Sequence, residues 1–145
     1  MAKMTYSDFA LEDRLRKLDE NFRREVTRKV LWAGAKVIEK EMQNAIAERH
    51  HIATGDMQRS VKQTEIHEGP EECWVEVYTQ GTDRRGVSNE MKNVIINKGY
   101  YHKGTGAKKK KDPYLKDMRK RIEPRVQSVM NYQMKLTLKE LGIIE

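Results

Sequence analysis

The chain of 145 residues is 37% hydrophobic and 35% charged, with a formal net charge of +7. This length fits a single domain spanning residues 1–145, in which roughly 68% of the unfolded chain's surface can be buried. No stretch reaches the roughly 18 consecutive apolar residues that cross a bilayer, and residues 1–10 lack the apolar centre of a signal peptide. The single cysteine, Cys73, excludes an intrachain disulfide. We therefore expect one domain, made and used in the cytoplasm, with no membrane partner.

The excess positive charge lies in one segment, residues 98–125. This segment has eleven Lys or Arg against three Asp or Glu, whereas the rest of the chain has 18 against 19. A local concentration of this kind indicates a surface for phosphates or for an acidic neighbour more strongly than the net charge does.

The first predicted element is a long N-terminal helix. Apolar side chains recur at steps of three and four, the spacing of one helical face. That face consists of Leu15, Leu18, Phe22, Val26, Val30, Ala33, Val37, Glu41 and Ala45. Ser7 or Asp8 can cap its start, and Gly34 lies inside the pattern at a cost of about 1 kcal/mol relative to Ala. The opposite face is charged, and solvation is the ordinary role of such a face.

A tight corner is predicted after this helix, where the sequence reads TGDMQRSV. Thr54 can cap a short helical turn there. Gly55 permits a positive φ that other residues resist.

An antiparallel hairpin follows. Residues 61–67 and 73–79 are alternating or rich in β-forming residues, and Glu-Gly-Pro-Glu separates them. Cys73, Val75 and Val77 should share one face of the second strand, because successive side chains alternate.

The next segment has little pattern. Residues 80–93 are polar and aperiodic, which predicts a mobile surface loop. Residues 94–96 are Val-Ile-Ile, a short apolar run that predicts a third strand. Residues 100–112 contain two glycines and a run of four lysines whose mutual repulsion disfavours compact structure, so a second mobile loop is expected.

A C-terminal helix is predicted to start at Asp112, as the cap, and Pro113, in the first turn. Pro124 lies inside it and predicts a kink or break near Glu123, since proline cannot donate the helical hydrogen bond. Its apolar stripe consists of Leu115, Met118, Ile122, Val126, Val129, Met130, Gln133, Met134, Leu138 and Leu141. The predicted fold class is α+β, with both long helices packed on a small, mostly antiparallel sheet.

No pattern in the sequence indicates catalysis, a metal or a cofactor. The candidate metal ligands are His50, His51, His67, His102 and Cys73. No two of them have the i, i+4 spacing that joins ligands on one helical face. The order Gly99, Gly104, Thr105 resembles part of a phosphate-binding loop but lacks the lysine that follows the second glycine. Ser60 and Ser88 have no histidine and acid nearby in sequence to activate them.

The basic segment carries the functional content of the sequence. The candidate interface or DNA-contact residues are Tyr100, Tyr101, Lys103, Lys108, Lys109, Lys110 and Lys111. Lysines can neutralise phosphates without reading base sequence, and tyrosines can stack on bases or pack on a protein. A solvated loop, non-specific DNA contact and an acidic protein partner all remain open at this point.

The order of these elements resembles the gene-product-ten-like head-tail joining and tail-completion proteins of long-tailed phages. In that family the corner typically reads T-G-x-L-x-x-S-I, which is matched by Thr54, Gly55, Met57, Ser60 and Val61. In the family, a later strand ends in an acidic residue and is followed by an aromatic residue and Gly-Thr, and then by Pro-Phe-Leu. This pattern is matched more loosely by Ile95, Ile96, Asn97, Gly99, Pro113, Tyr114 and Leu115. Asn97 replaces the usual acid, Asp117 stands where a second proline is common, and the loop over residues 80–93 is extra.

The resemblance implies a structural virion protein with no catalytic residues, assembled in the bacterial host cytoplasm. Its partners would be other connector and tail proteins and copies of itself in a closed ring, such as a hexamer. Identical subunits that contact each other through two different surfaces form a closed ring when they are related by cyclic symmetry. The alternative is a stand-alone nucleic-acid-binding protein that uses the same basic segment, and a small enzyme is a third reading.

Overall fold

The computed structural model describes residues 2–3, 20–49, 54–70, 72–101 and 103–145. The helices are α1 (Glu20–Glu48), α2 (Asp56–Arg59), α3 (Asn89–Lys98) and α4 (Tyr114–Glu140). The strands are β1 (Ala2–Lys3), β2 (Val61–Gln63), β3 (His67–Glu68), β4 (Cys73–Trp74), β5 (Glu76–Thr79), β6 (Tyr100–Tyr101) and β7 (Lys108–Lys109). The fold is α+β, as predicted, and no described helix is long and apolar enough to span a membrane.

The two long helices pack against each other more extensively than any other pair of elements. They are antiparallel, because ion pairs join opposite ends. Lys29 Nζ lies 3.0 Å from Glu140 Oε2 at one end, and Arg49 Nη1 lies 3.0 Å from Asp112 Oδ1 at the other. Both predicted long helices are thus present, and they form the body of the protein.

The buried face of α1 differs in part from the predicted stripe. Val26, Val30 and Ala45 are buried as predicted, but Phe22 is 42% exposed. The rest of the buried face consists of Leu31, Gly34, Ala35, Ile38, Met42 and Ile46. The buried face is wider than one stripe because α1 is covered on two sides, by α4 and by β2 and β5. The predicted cap at Ser7 or Asp8, and Leu15 and Leu18, lie outside the described residues.

The main sheet has the strand order β1, β5, β2, with both neighbouring pairs antiparallel. Val61 lies opposite Thr79, and Gln63 lies opposite Val77. Strands β3 and β4 continue the same hairpin as a separate pair. The predicted hairpin is confirmed, and Val61, Val75 and Val77 point into the core.

Helix α4 begins at Tyr114, and its N-cap is Pro113, so the predicted start with Asp112 as the cap is one residue early. The predicted break at Pro124 is wrong, because α4 continues through this residue to Glu140. Ile122 and Val126, on either side of it, are buried. Packing of this kind outweighs local propensity in most protein helices. A kink at Pro124 stays a prediction.

The predicted third strand at residues 94–96 is wrong, since these residues belong to helix α3. The predicted loop over residues 80–93 therefore ends at Ser88, whose Oγ accepts a hydrogen bond of 3.3 Å from the Met91 amide as the N-cap of α3. Gly99 ends the helix with a φ of 78°, and its amide donates to the Ile95 carbonyl at 2.8 Å. The apolar run Val-Ile-Ile is typical of a strand, and only these two flanking residues indicate a helix.

Candidate functional site

The corner at residues 54–61 has the predicted geometry. Gly55 has a φ of 77°, and the Thr54 hydroxyl accepts from the Asp56 amide at 3.3 Å and donates to Asp56 Oδ2 at 2.8 Å. The formal N-cap of the short helix is Gly55, one residue after the predicted cap. The hydrogen bond from Thr54 lowers the pKa of Asp56, as does its 2.6 Å contact with Arg59.

The other residues of the family turn motif hold the chain in place. Met57 and Val61 are buried in the core. The Ser60 hydroxyl donates to the Met57 carbonyl at 2.7 Å, and the Ser60 carbonyl accepts from the Gln80 amide at 2.9 Å. The motif thus connects α1 to the sheet.

Residues 81–88 form a hydrogen-bonded loop around Asp83. Asp83 Oδ1 accepts from the amides of Arg85 and Val87, at 2.8 and 2.9 Å, and its carboxylate also contacts the Lys92 ammonium. The Lys92 contact, followed by these backbone amides, lowers the pKa of Asp83 to about 2. These hydrogen bonds were not predicted, because the role of a single Asp in a polar loop has no periodic signal; the predicted mobility of the loop stays a prediction.

Helix α3 differs from an ordinary amphipathic helix, because two of its asparagines face the body of the protein. Asn89 and Asn93 are only 2% and 1% exposed. Asn89 Nδ2 donates to the Gln80 carbonyl at 3.0 Å, and Asn93 Oδ1 accepts from the hydroxyl of Tyr114. Burial raises the pKa of Tyr114, so this hydroxyl remains a donor.

The asparagines fasten α3 to the start of α4. Besides the Tyr114 contact, Asn97 Oδ1 accepts from the Leu115 amide at 3.2 Å, and the Ile96 carbonyl accepts from the Asp112 amide at 2.8 Å. Residues 112–115 thus dock against α3. Sequence analysis placed Asn97 and Leu115 in one loose motif, and the structure brings them into contact.

Two apolar side chains of α3 point away from the body, whereas Ile96 of the same helix is buried in the core. Met91 is 59% exposed and Val94 is 42% exposed, and Val87, just before the helix, is also 42% exposed. We call these three residues the α3 outer face. Clustered exposed apolar side chains mark contact surfaces more often than isolated ones do.

Residues 100–109 form a small hairpin, although no secondary structure was predicted there. Tyr100 pairs with Lys109, and Tyr101 with Lys108. The Lys108 ammonium lies 5.6 Å from the centre of the Tyr101 ring, a distance at which a cation is attracted to the ring face. We call residues 100–111 the lysine hairpin; the predicted mobility of this segment stays a prediction.

The structure divides the positive charge of residues 98–125 into paired and unpaired groups. Arg125 and Arg121 bind Glu41 of α1 at 2.7 and 3.8 Å, and Arg121 also binds Glu48 at 3.4 Å. The cations with no ion pair to a described side chain are Lys98, Lys103, Lys108, Lys110, Lys111, Lys116, Arg119 and Lys120. The unpaired charge therefore lies on the lysine hairpin, the end of α3 and the first turns of α4.

Among the candidate reactive groups that the structure describes, none are brought together into a site. The ring of His67 stacks on Trp74 with centroids 5.4 Å apart, and His50, His51 and His102 lie outside the described residues. Within the described ranges, no three metal-ligating side chains of His, Cys, Asp or Glu come together. Gly99 follows a helix and Thr105 precedes strand β7, whereas a phosphate-binding loop follows a strand and opens a helix.

The described residues form a small α+β protein with an exposed apolar face on α3 and an exposed basic groove beside it. Residues 9–102 match the family model described as "Bacteriophage HK97-gp10, putative tail-component". This span covers well over half of the 145 residues, so the chain belongs to the HK97-gp10-like family of phage tail components. Neither curated proteins nor solved structures give a match. The matched span includes α1, the main hairpin and α3, whereas Lys108, Lys110, Lys111 and α4 follow it.

Proposed function

We propose that this protein is a structural component of the head-tail junction of a tailed phage or prophage, where identical subunits form a closed ring such as a hexamer. Its role would be that of a connector, neck, tail-completion or tail-terminator protein. Family membership supports a place in the virion. The observation that carries the assembly step is the α3 outer face.

The α3 outer face suits contact with a second copy of the chain. Met91 and Val94 lie three residues apart on one helix, and Val87 adjoins them, so their side chains project from one small area. Burying such side chains contributes about 25 cal/mol for each Å² of apolar surface removed from water. A neighbour related by rotation can cover this face with a different surface of its own, and such contacts close into a ring.

The α3 outer face is also rigidly held, which a repeated contact requires. Asn93 and Asn97 fasten the opposite side of α3 to α4, and Ser88 and Gly99 define its two ends. Since the backbone of the face is fixed before assembly, less conformational entropy is lost on binding.

Deletion of the gene from the phage, followed by electron microscopy of the particles, tests the junction role. We expect heads and tails that fail to join, or tails of abnormal length; the first outcome indicates a connector and the second a tail-completion or terminator role. Intact and infective particles would overturn the proposal.

A double substitution, Met91→Glu with Val94→Glu, tests the assembly surface by complementation of the deletion. Both positions are exposed in the subunit, so folding should be retained, while two buried charges should abolish ring formation. Tyr132→Glu is the control, since Tyr132 is 68% exposed on α4 and should still complement. Full complementation by the double variant would remove the α3 outer face as an interface.

The alternative function is a stand-alone nucleic-acid-binding protein, which the unpaired lysines favour. The deletion separates the two functions. Normal particles together with tight DNA binding by the purified protein would favour the alternative.

A further inference from the structure

We propose that the lysine hairpin, together with Lys98, is a binding surface for the phosphate backbone of double-stranded DNA. The inference rests on the proposed function for its setting, since the genome passes through the head-tail junction. The binding surface itself is a property of the single subunit and can be tested on it.

The first argument is that the lysines lie together and form no ion pairs with described side chains. Lys98, Lys108, Lys110 and Lys111, together with the two tyrosines, line one open groove. None of these four lysines has an ion pair with a described side chain. Elsewhere in the same basic segment, Arg121 and Arg125 are neutralised by α1. Four of the cations that form no ion pair with α1 thus lie together on one surface.

The second argument is the shape of this surface. The hairpin is a two-stranded ribbon, which is a form that fits against a DNA groove. Duplex DNA carries one negative charge for about every 1.7 Å of its axis, counting both strands. Closely spaced cations on the ribbon, such as Lys108, Lys110 and Lys111, can therefore each lie near a phosphate.

The third argument concerns residue type and favours DNA over an acidic protein. Lysine is depleted at the centres of protein interfaces, where arginine and aromatic anchors predominate. In the basic segment, Arg121 and Arg125 form ion pairs within the fold, and Arg119 is the described arginine that does not. Solvated lysines with tyrosine hydroxyls form phosphate contacts that position a duplex without reading its sequence.

Binding of the full chain to a 25-base-pair duplex, followed by fluorescence anisotropy between 50 and 200 mM salt, tests the inference. We expect weak binding that falls steeply with salt and is the same for unrelated sequences within a factor of about two. Replacing Lys108, Lys110 and Lys111 by Ala should reduce the slope of log K against log salt by about 3, because each lost phosphate contact removes about 0.9.

The matched control replaces Lys40, Lys62 and Lys139 by Ala. These lysines are exposed, lie on other elements and make no ion pair with a described side chain. The control removes the same charge and should change the slope by less than about 1. Equal slopes for both triple variants, or no salt-dependent binding, would overturn the inference.

Complementation of the deleted phage separates the inference from the proposed function. The hairpin variant should form joined particles with reduced retention of DNA. Unjoined particles from this variant, with unchanged DNA binding in solution, would instead assign the hairpin to an acidic protein partner. Infective particles without any copy of the protein would overturn the proposed function and leave the binding result standing.

Discussion

The body formed by α1, α4 and the main sheet differs from the segment over residues 88–111 in the direction of its side chains. In the body, apolar residues such as Ile46 and Met118 are buried, and charged residues lie outside. In α3, Asn89 and Asn93 are buried, and Met91 is exposed. Because asparagines attach this segment to the body, the apolar side chains of Met91 and Val94 and several lysines stay exposed on its outer surface.

The largest expected effect separates the two regions by stability. Ile46→Ala in the body should lower the free energy of unfolding by about 2 to 5 kcal/mol, since the side chain is fully buried and a cavity remains. Met91→Ala, the matched change on the α3 outer face, should alter it by less than about 0.5 kcal/mol. Urea unfolding followed by circular dichroism measures both values, and equal losses would contradict the comparison.

The asparagine contacts of α3 should give a smaller effect. Asn93→Ala removes an acceptor of the buried Tyr114 hydroxyl, and the loss of such a hydrogen bond costs about 0.5 to 1.5 kcal/mol. Asn44→Ala is the control, because Asn44 is exposed on α1. Urea unfolding should show no loss for the control. A neutral Asn93→Ala would mean that these asparagines do not anchor α3.

The ion pairs of the body can be compared with the unpaired lysines of the hairpin. Glu41 receives Arg121 and Arg125, and its side chain is 15% exposed. Glu41→Gln should lower stability by about 1 kcal/mol, because hydrogen bonds to a charged acceptor are replaced by weaker ones. Lys110→Ala should cost less than about 0.5 kcal/mol, because its ammonium has no ion pair within the described structure. Thermal unfolding at low salt is the measurement, and a larger loss for Lys110→Ala would reverse the assignment of paired and unpaired charge.

The smallest expected effect is the acid titration of the loop before α3. The folded pKa of Asp83 is about 2, below its ordinary value of 3.8. The stabilising contribution of this carboxylate is therefore complete above that ordinary value and is lost as pH falls through the folded one. The amide resonances of Arg85 and Val87 should titrate with a midpoint near the folded value, and this transition should vanish in Asp83→Asn. A midpoint near the ordinary value would show that the loop is not held by Asp83.

The sequence predicts the body well because its signals are local or periodic. The spacing of Val26, Val30 and Ala45, the alternation of Val75 and Val77, and the glycine of the Thr54 corner each follow from their immediate neighbours. The buried face of α1 was only partly predicted, since its width depends on packing against both α4 and the main sheet, which come from distant parts of the chain.

The candidate site was less predictable. The role of Asn93 depends on Tyr114, which lies 21 residues later in the chain, and an asparagine in a helix gives no sign that it is buried. The lysine run identified the basic surface, but which cations remain unpaired depends on Glu41 and Glu48 of α1. Ser88 and Gly99 were the available signals for α3, and the apolar run between them favoured a strand.

The central claim is that the α3 outer face, exposed in the subunit, is covered by another copy of the chain in the particle. A photoreactive amino acid at position 91, irradiated in purified virions, tests this claim directly, with position 120 on α4 as the control. The account predicts a cross-linked product of twice the subunit mass from position 91 and none from position 120. Position 91 giving no product, or joining only a different virion protein, would contradict it.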